Sequence, residues 1–241
     1  MVSIKLYDNK IILSNYTIID NFVKEKNSCK RDYVNESVSR AKRKIYDFGI
    51  CNDWTHFLTI TFNSKKINRF DLLEVKNKFL KYLRNYTRID SDFKYLVIPE
   101  LHKNGALHFH GLVRFGLNSR IYLKKFKSNI FNHDLFTKIF GFNRFIEIIE
   151  KSNAIITYIV KYVSKEVNKI FRNYYFHSKN LNEPLKIQIT NEFDIEKITK
   201  KIEPYFLSEQ QGLYFYQNSF VSSFVIDNTH ELYAYYYTLF N

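Results

Sequence analysis

Glu100-Leu101-His102-Lys103-Asn104-Gly105-Ala106-Leu107-His108-Phe109-His110 reads as two strands joined by a turn. Asn104-Gly105 is the hairpin signal, because glycine adopts the left-handed backbone that a tight reversal needs. Successive strand residues point to opposite faces. His108 and His110 therefore share one face, and Phe109 points the other way, into the core. Two registers are open. A two-residue Asn104-Gly105 loop puts Leu101 opposite His108 and turns Glu100 away. A three-residue Lys103-Asn104-Gly105 loop, with Gly105 left-handed, puts Glu100 opposite His108. We adopt the second, which gathers one carboxylate and two imidazoles on a single face. His102 then lies on that face nearer the turn, as a reserve ligand, a proton-transfer group or a plain surface histidine.

The flanking segments extend this hairpin into a sheet. His56-Phe57-Leu58-Thr59-Ile60-Thr61-Phe62 alternates and is rich in β-branched residues, so it is a strand. Leu72, Leu73, Phe79, Leu80 and Leu83 have amphipathic-helix spacing within residues 70–87. Residues 93–101, 107–115 and 142–149 are strands, and 120–140 is mixed and helical in part. Residues 152–171 form a helix, with Ser152 or Asn153 as N-cap. The pattern predicts an α+β fold, an antiparallel sheet covered by helices.

Outside this core, residues 1–20 read as short strands that turn at Asp8-Asn9, and residues 33–47 as a basic helix carrying Arg40, Lys42, Arg43 and Lys44. Leu185 to Thr190 reads as a strand, Phe193 to Lys201 as a helix, and Gly212 to Ile226 as two strands. The expected organisation is 1–50 as N-terminal strands and basic helix packed on the core, 51–172 as the core, and 173–241 as a C-terminal extension without an assigned role. Six glycines and three prolines in 241 residues leave no linker-like stretch.

Lys plus Arg is 37 against 24 Asp plus Glu, a formal charge of +13 that favours a polyanionic partner such as nucleic acid. Part of the lysine surplus follows from an AT-rich coding bias, which also raises Asn, Ile, Tyr and Phe. Cys29 and Cys51 form neither a C-x-x-C pair nor a disulfide framework. The start shows no signal-peptide pattern, and no apolar run approaches the ~20 residues needed to span a bilayer, so no membrane partner is expected.

The Glu100, His108 and His110 set is an open site with room for phosphate oxygens and water. Mg²⁺ or Mn²⁺ suits it, with imidazole favouring Mn²⁺. No further His or Cys cluster suggests structural zinc. Tyr158 and Tyr162, four apart, stack on one face of their helix, with Lys161 and Lys165 on a neighbouring stripe. The same tyrosines also suit half-buried packing positions. Near a metal, a tyrosine hydroxyl could attack a phosphodiester, with a lysine lowering its pKa or neutralising the developing charge. Lys124, Lys125 and Lys127, with the basic helix, are candidate contacts to a nucleic-acid backbone or ordinary solvated charge.

His108-Phe109-His110 resembles the second motif of the HUH endonucleases. Phe57-Leu58-Thr59-Ile60-Thr61-Phe62 looks like their first, and Tyr158-Ile159-Val160-Lys161-Tyr162-Val163-Ser164-Lys165 like their third. The order of the motifs is similar to that of rolling-circle replication initiators of small single-stranded DNA phages and bacterial plasmids. The resemblance spans 56–166 and leaves about half of the chain uncovered. It implies a central five-stranded antiparallel sheet related to RNA-recognition folds, with the histidine strand facing the tyrosine helix. It supports Glu100 as third metal ligand and Tyr158 and Tyr162 as nucleophiles, with Tyr158 favoured. It implies metal-dependent nicking and rejoining of single-stranded DNA through a 5′-phosphotyrosine, at a replication origin or an extruded hairpin, in the cytoplasm of a bacterial host. No G-x-x-x-x-G-K-[ST] loop occurs, so unwinding falls to a host helicase, and extension to a host polymerase. A transposase or mobilisation nickase with the same chemistry, or a non-catalytic origin-binding protein, are the alternatives. Oligomeric state stays open.

Overall fold

The computed structural model describes residues 2–15, 33–149, 153–165, 173–202, 213–217 and 222–240. Its elements begin with β1 (Val2–Tyr7), β2 (Lys10–Asn15), α1 (Tyr33–Ile50), β3 (His56–Phe62), α2 (Leu72–Tyr86), β4 (Lys94–Leu101) and β5 (Leu107–Arg114). Then come β6 (Leu123–Lys127), β7 (Ile130–His133), α3 (Asp134–Ile139), β8 (Gly141–Glu147), α4 (Asn153–Lys165) and β9 (Phe176–His177). The chain continues through β10 (Leu185–Ile189), α5 (Glu192–Ile202), β11 (Leu213–Gln217), β12 (Ser222–Asp227) and α6 (Glu231–Tyr237).

The fold is α+β, with antiparallel sheets flanked by helices, as the patterning predicted. Its division differs from the expected one. One compact unit joins Met1–Arg31 to Glu183–Asn241, and the other is Asp32–Asn182. The hairpin β1–β2 finds its sheet partners in the C-terminal segment, so the first strands and the basic helix belong to different units. β10 pairs with β1 and β12 with β2, giving a five-stranded sheet in the order β10-β1-β2-β12-β11. Ile4, Ile11, Ile198, Ile226 and Tyr236 fill its core.

The second unit holds a seven-stranded sheet in the order β6-β7-β8-β3-β5-β4-β9, where five strands were expected. The predicted strands β3, β4, β5 and β8 are its centre. Residues 120–140, expected to be partly helical, supply the β6–β7 hairpin before the short α3, and β9 adds a two-residue edge. Side-chain alternation separates two apolar layers. Leu58, Ile60, Phe62, Val97, Phe109 and Phe145 point toward α2 and α3, meeting Phe79, Leu83 and Phe136. Phe57, Leu96, Ile98 and Leu112 point to the other face, meeting Ala41, Ile45 and Phe48 of α1 and Ile159, Tyr162 and Val163 of α4. Asp71 caps α2, accepting from the Glu74 N–H at 2.9 Å. The predicted cap Ser152 lies outside the described residues, as do 166–171 of the predicted helix.

Two histidines are buried in the first of these layers. His56 sits among Phe115, Phe131 and Phe145, and His133 Nε2 lies 2.7 Å from the Tyr86 hydroxyl. Burial pulls His56 down to about 4, helped by the Arg120 charge. Burial, and then the His56 charge, does the same to His133. The folded unit therefore refuses a proton that the unfolded chain accepts near its ordinary pKa of about 6.5. Stability should be complete above that value and fall as pH drops toward 4, by up to about 3 kcal/mol for one such histidine. Thermal melting at pH 7 and pH 5 checks this. The His56→Phe, His133→Gln double variant should show a smaller pH-dependent loss than the natural chain.

Candidate active site

The β3 residues Thr59 and Thr61 and the β5 residues His110 and His108 meet in register, Thr59 opposite His110 and Thr61 opposite His108. On the other side of β5, Glu100 is opposite His108 and Ile98 opposite His110. Gly105 has φ +81°, the His102 N–H donates to the Ala106 carbonyl (2.9 Å), and the Gly105 N–H donates to the His102 carbonyl (2.7 Å). This is the three-residue loop, so the carboxylate and both imidazoles occupy one face.

The side chains are arranged unequally. His110 Nε2 lies 2.7 Å from Glu100 Oε2, and its Nδ1 lies 3.2 Å from Thr59 Oγ1. His108 Nδ1 lies 3.1 Å from Thr61 Oγ1, and its ring stacks on the exposed His102, centroids 5.0 Å apart. Burial, and then the charges of His102 and His110, hold His108 below the usual histidine range. A ring nitrogen 2.7 Å from a carboxylate oxygen must share a cation with it, either a proton or a metal. The Thr59 hydroxyl on the opposite nitrogen helps to fix the ring orientation. Among the described residues, no three or more His, Cys, Asp or Glu side chains are grouped so that they could hold a metal ion. Glu100 and His110 are in contact, and His108 lies beside them on the same face.

α4 lies over the next part of this face. The Tyr162 ring stacks on His110 with centroids 4.1 Å apart and planes 16° apart. The Tyr158 and Tyr162 hydroxyls are 2.7 Å apart, and Tyr158 also leans on Phe57 at 5.5 Å. Tyr162 is 7% exposed and Tyr158 49%. Burial, and then the hydrogen bond to Tyr158, push the Tyr162 phenol well above its ordinary range. Tyr158 is the reachable oxygen and Tyr162 the inner one. Lys161 is exposed on α4; Lys165 is its last residue, and its side chain lies outside the described ones.

The basic residues are spread over the unit. On α1, Arg40 is exposed, while Lys42, Arg43 and Lys44 are half-buried. Lys44 Nζ stands 4.9 Å from the centre of the Phe48 ring. Lys124, Lys125 and Lys127 are exposed on the edge strand β6, and Lys124 lies 3.9 Å from Asp134. Lysines on an edge strand also discourage pairing with another chain.

Residues 55–167 match the family model of the replication-associated proteins of the ORF2 type. The match covers just under half of the chain and is a likeness to replication-associated proteins. It runs from just before β3 to just past the described end of α4, so it contains Glu100, both histidines and both tyrosines. No curated protein and no solved structure gives a match. No helix among the described residues is long and apolar enough to cross a membrane.

Thr59 and Thr61 had no role from sequence, although their same-face spacing on β3 was visible. Their hydroxyls are what fix the two imidazoles. Thr59→Val removes the hydroxyl contact to His110 Nδ1 and should destabilise the unit by about 1 kcal/mol. Thr61→Val should cost less, because His108 is half-exposed and water can replace the hydroxyl. Urea unfolding of both variants measures the difference.

Proposed function

We propose that the chain is a metal-dependent, site-specific endonuclease and strand transferase for single-stranded DNA that initiates rolling-circle replication. The observation that carries this reading is the stacking of Tyr162 on His110, the partner of Glu100, with the Tyr158 hydroxyl held against that of Tyr162. A nucleophile and a cation-binding group then adjoin one open surface. The family match adds replication as the context.

In this reading Glu100, His108 and His110 hold Mg²⁺ or Mn²⁺, which would neutralise charge on the scissile phosphate and on the leaving oxygen. Tyr158 Oη attacks phosphorus in line. A P–O bond to tyrosine forms as the P–O3′ bond breaks. The phenol proton leaves through the Tyr162 hydroxyl to solvent water, and water returns one proton to the leaving 3′ oxygen, which becomes a free hydroxyl. The 5′-phosphotyrosine keeps the phosphodiester energy, so attack by a 3′ hydroxyl rejoins strands without ATP. Tyr162, held against His110, positions the Tyr158 oxygen and serves as a second nucleophile when the helix exposes it. Lys161 and Lys165 lie on the same helix as charges for the phosphate path. Arg40, Lys42, Arg43 and Lys44, with Lys124, Lys125 and Lys127, are proposed backbone contacts. The substrate is an origin single strand or an extruded hairpin, and a host helicase and polymerase complete replication in the bacterial cytoplasm.

The test is formation of a denaturation-resistant adduct on a labelled origin strand with Mn²⁺. EDTA should abolish it. Tyr158→Phe should lower the initial rate at least a hundredfold, Tyr162→Phe less, and the double variant should form none. An adduct in the double variant would refute the assignment. Binding without any cleavage by the natural chain would instead indicate a DNA-binding module.

A further inference from the structure

β8 carries a cation and an aromatic ring on the same face as the site. Arg144 is opposite Thr59 and Phe142 opposite Thr61 on β3. The face therefore contains two rows running across the strands. One is Arg144, Thr59, His110 and Ile98; the other is Phe142, Thr61, His108 and Glu100. The row before them, Ile146, Phe57, Leu112 and Leu96, is packed under the helices. Helical cover thus stops at His110, and Phe142, Thr61, His108 and Glu100 continue as surface.

Phe142 is 54% exposed, and Arg144 is exposed beside it. The guanidinium lies 5.8 Å from the centre of the Phe142 ring. Among the described residues Arg144 makes no ion pair. A single exposed aromatic is ordinary on a protein surface. An exposed ring with an unneutralised guanidinium two residues away, in line with an imidazole–carboxylate site, matches the two needs of an unpaired polynucleotide. The ring offers a stacking surface for a base, and the guanidinium a bidentate partner for a phosphate. Two strand spacings, about 10 Å, separate Arg144 from His110, so one strand can engage both.

We infer that Phe142 and Arg144 form a docking subsite for single-stranded nucleic acid. A base stacks on Phe142, Arg144 holds an adjoining phosphate, and the strand crosses β8, β3 and β5 toward Tyr158. The inference takes the identity of its ligand from the function proposed above, but its binding step needs neither the metal nor the tyrosines.

The experiment measures binding of a fluorescent oligothymidine by anisotropy, in EDTA, with the Tyr158→Phe, Tyr162→Phe chain so that no cleavage intervenes. Phe142→Ala should weaken binding roughly five- to a hundredfold, and Phe142→Tyr should restore it. Arg144→Gln should weaken binding and reduce the slope of log affinity against log salt by about 0.7. Both sites are exposed, and thermal melting confirms that each variant is folded. Binding equal to that of the parent in Phe142→Ala and Arg144→Gln would overturn the subsite, as would no binding by the parent. Loss of binding in these variants, together with no adduct from the natural chain, would keep the subsite and reject the nuclease reading. Unchanged binding with an active natural chain would do the reverse.

Discussion

The hydrogen-bond register between β4 and β5 is the constraint on which the site depends. Glu100 shares a face with His108 and His110 only because three residues, with Gly105 left-handed, close the hairpin. A one-residue slip would send the carboxylate to the layer packed under α2. Gly111 reinforces the pairing from the same strand. A Cβ there would come within 2.4 Å of the Leu96 carbonyl oxygen, so β4 and β5 approach closely only with glycine at that position. The sheet thus sets the positions of the imidazoles before any side-chain interaction acts.

Hydroxyl groups then refine what the backbone sets. Thr59 and Thr61 occupy the Nδ1 side of both rings, which leaves Nε2 of His110 for Glu100. On the helix side, stacking on His110 buries Tyr162, and the hydroxyl contact ties Tyr158 to it. Two tyrosines four residues apart look equivalent on a helix. Packing makes them unequal, one a shielded phenol and the other half-exposed. That difference is the physical basis for giving them separate roles.

Much of this was legible in the chain itself. The alternation of His56 to Phe62, the Asn104-Gly105 turn and the amphipathic spacing of residues 70–87 identify β3, the β4–β5 hairpin and α2 because each signal is local. The β6–β7 hairpin was not legible, since Leu123 to Lys127 is a charged edge strand with no buried face to impose alternation. The division into two units was hidden as well. It depends on β1 pairing with β10 across some 180 residues, and strand identity says nothing about partner choice. At the site, the shared face of His108 and His110 followed from periodicity, whereas that of Glu100 depended on which of two hairpin registers closes the turn. The exposure of Tyr158 against Tyr162, and the place of Arg144 in line with His110, required three strands and a helix to be assembled.

The sharpest test uses the chain's own lysine pattern. Lys161 lies between the tyrosines, so trypsin places Tyr158 in residues 152–161 and Tyr162 in residues 162–165. Mass spectrometry of the digested adduct from the first turnover should find the nucleotide on residues 152–161. Label on any peptide lacking both tyrosines would contradict the account, and label confined to residues 162–165 would contradict the assignment of Tyr158 as the first nucleophile.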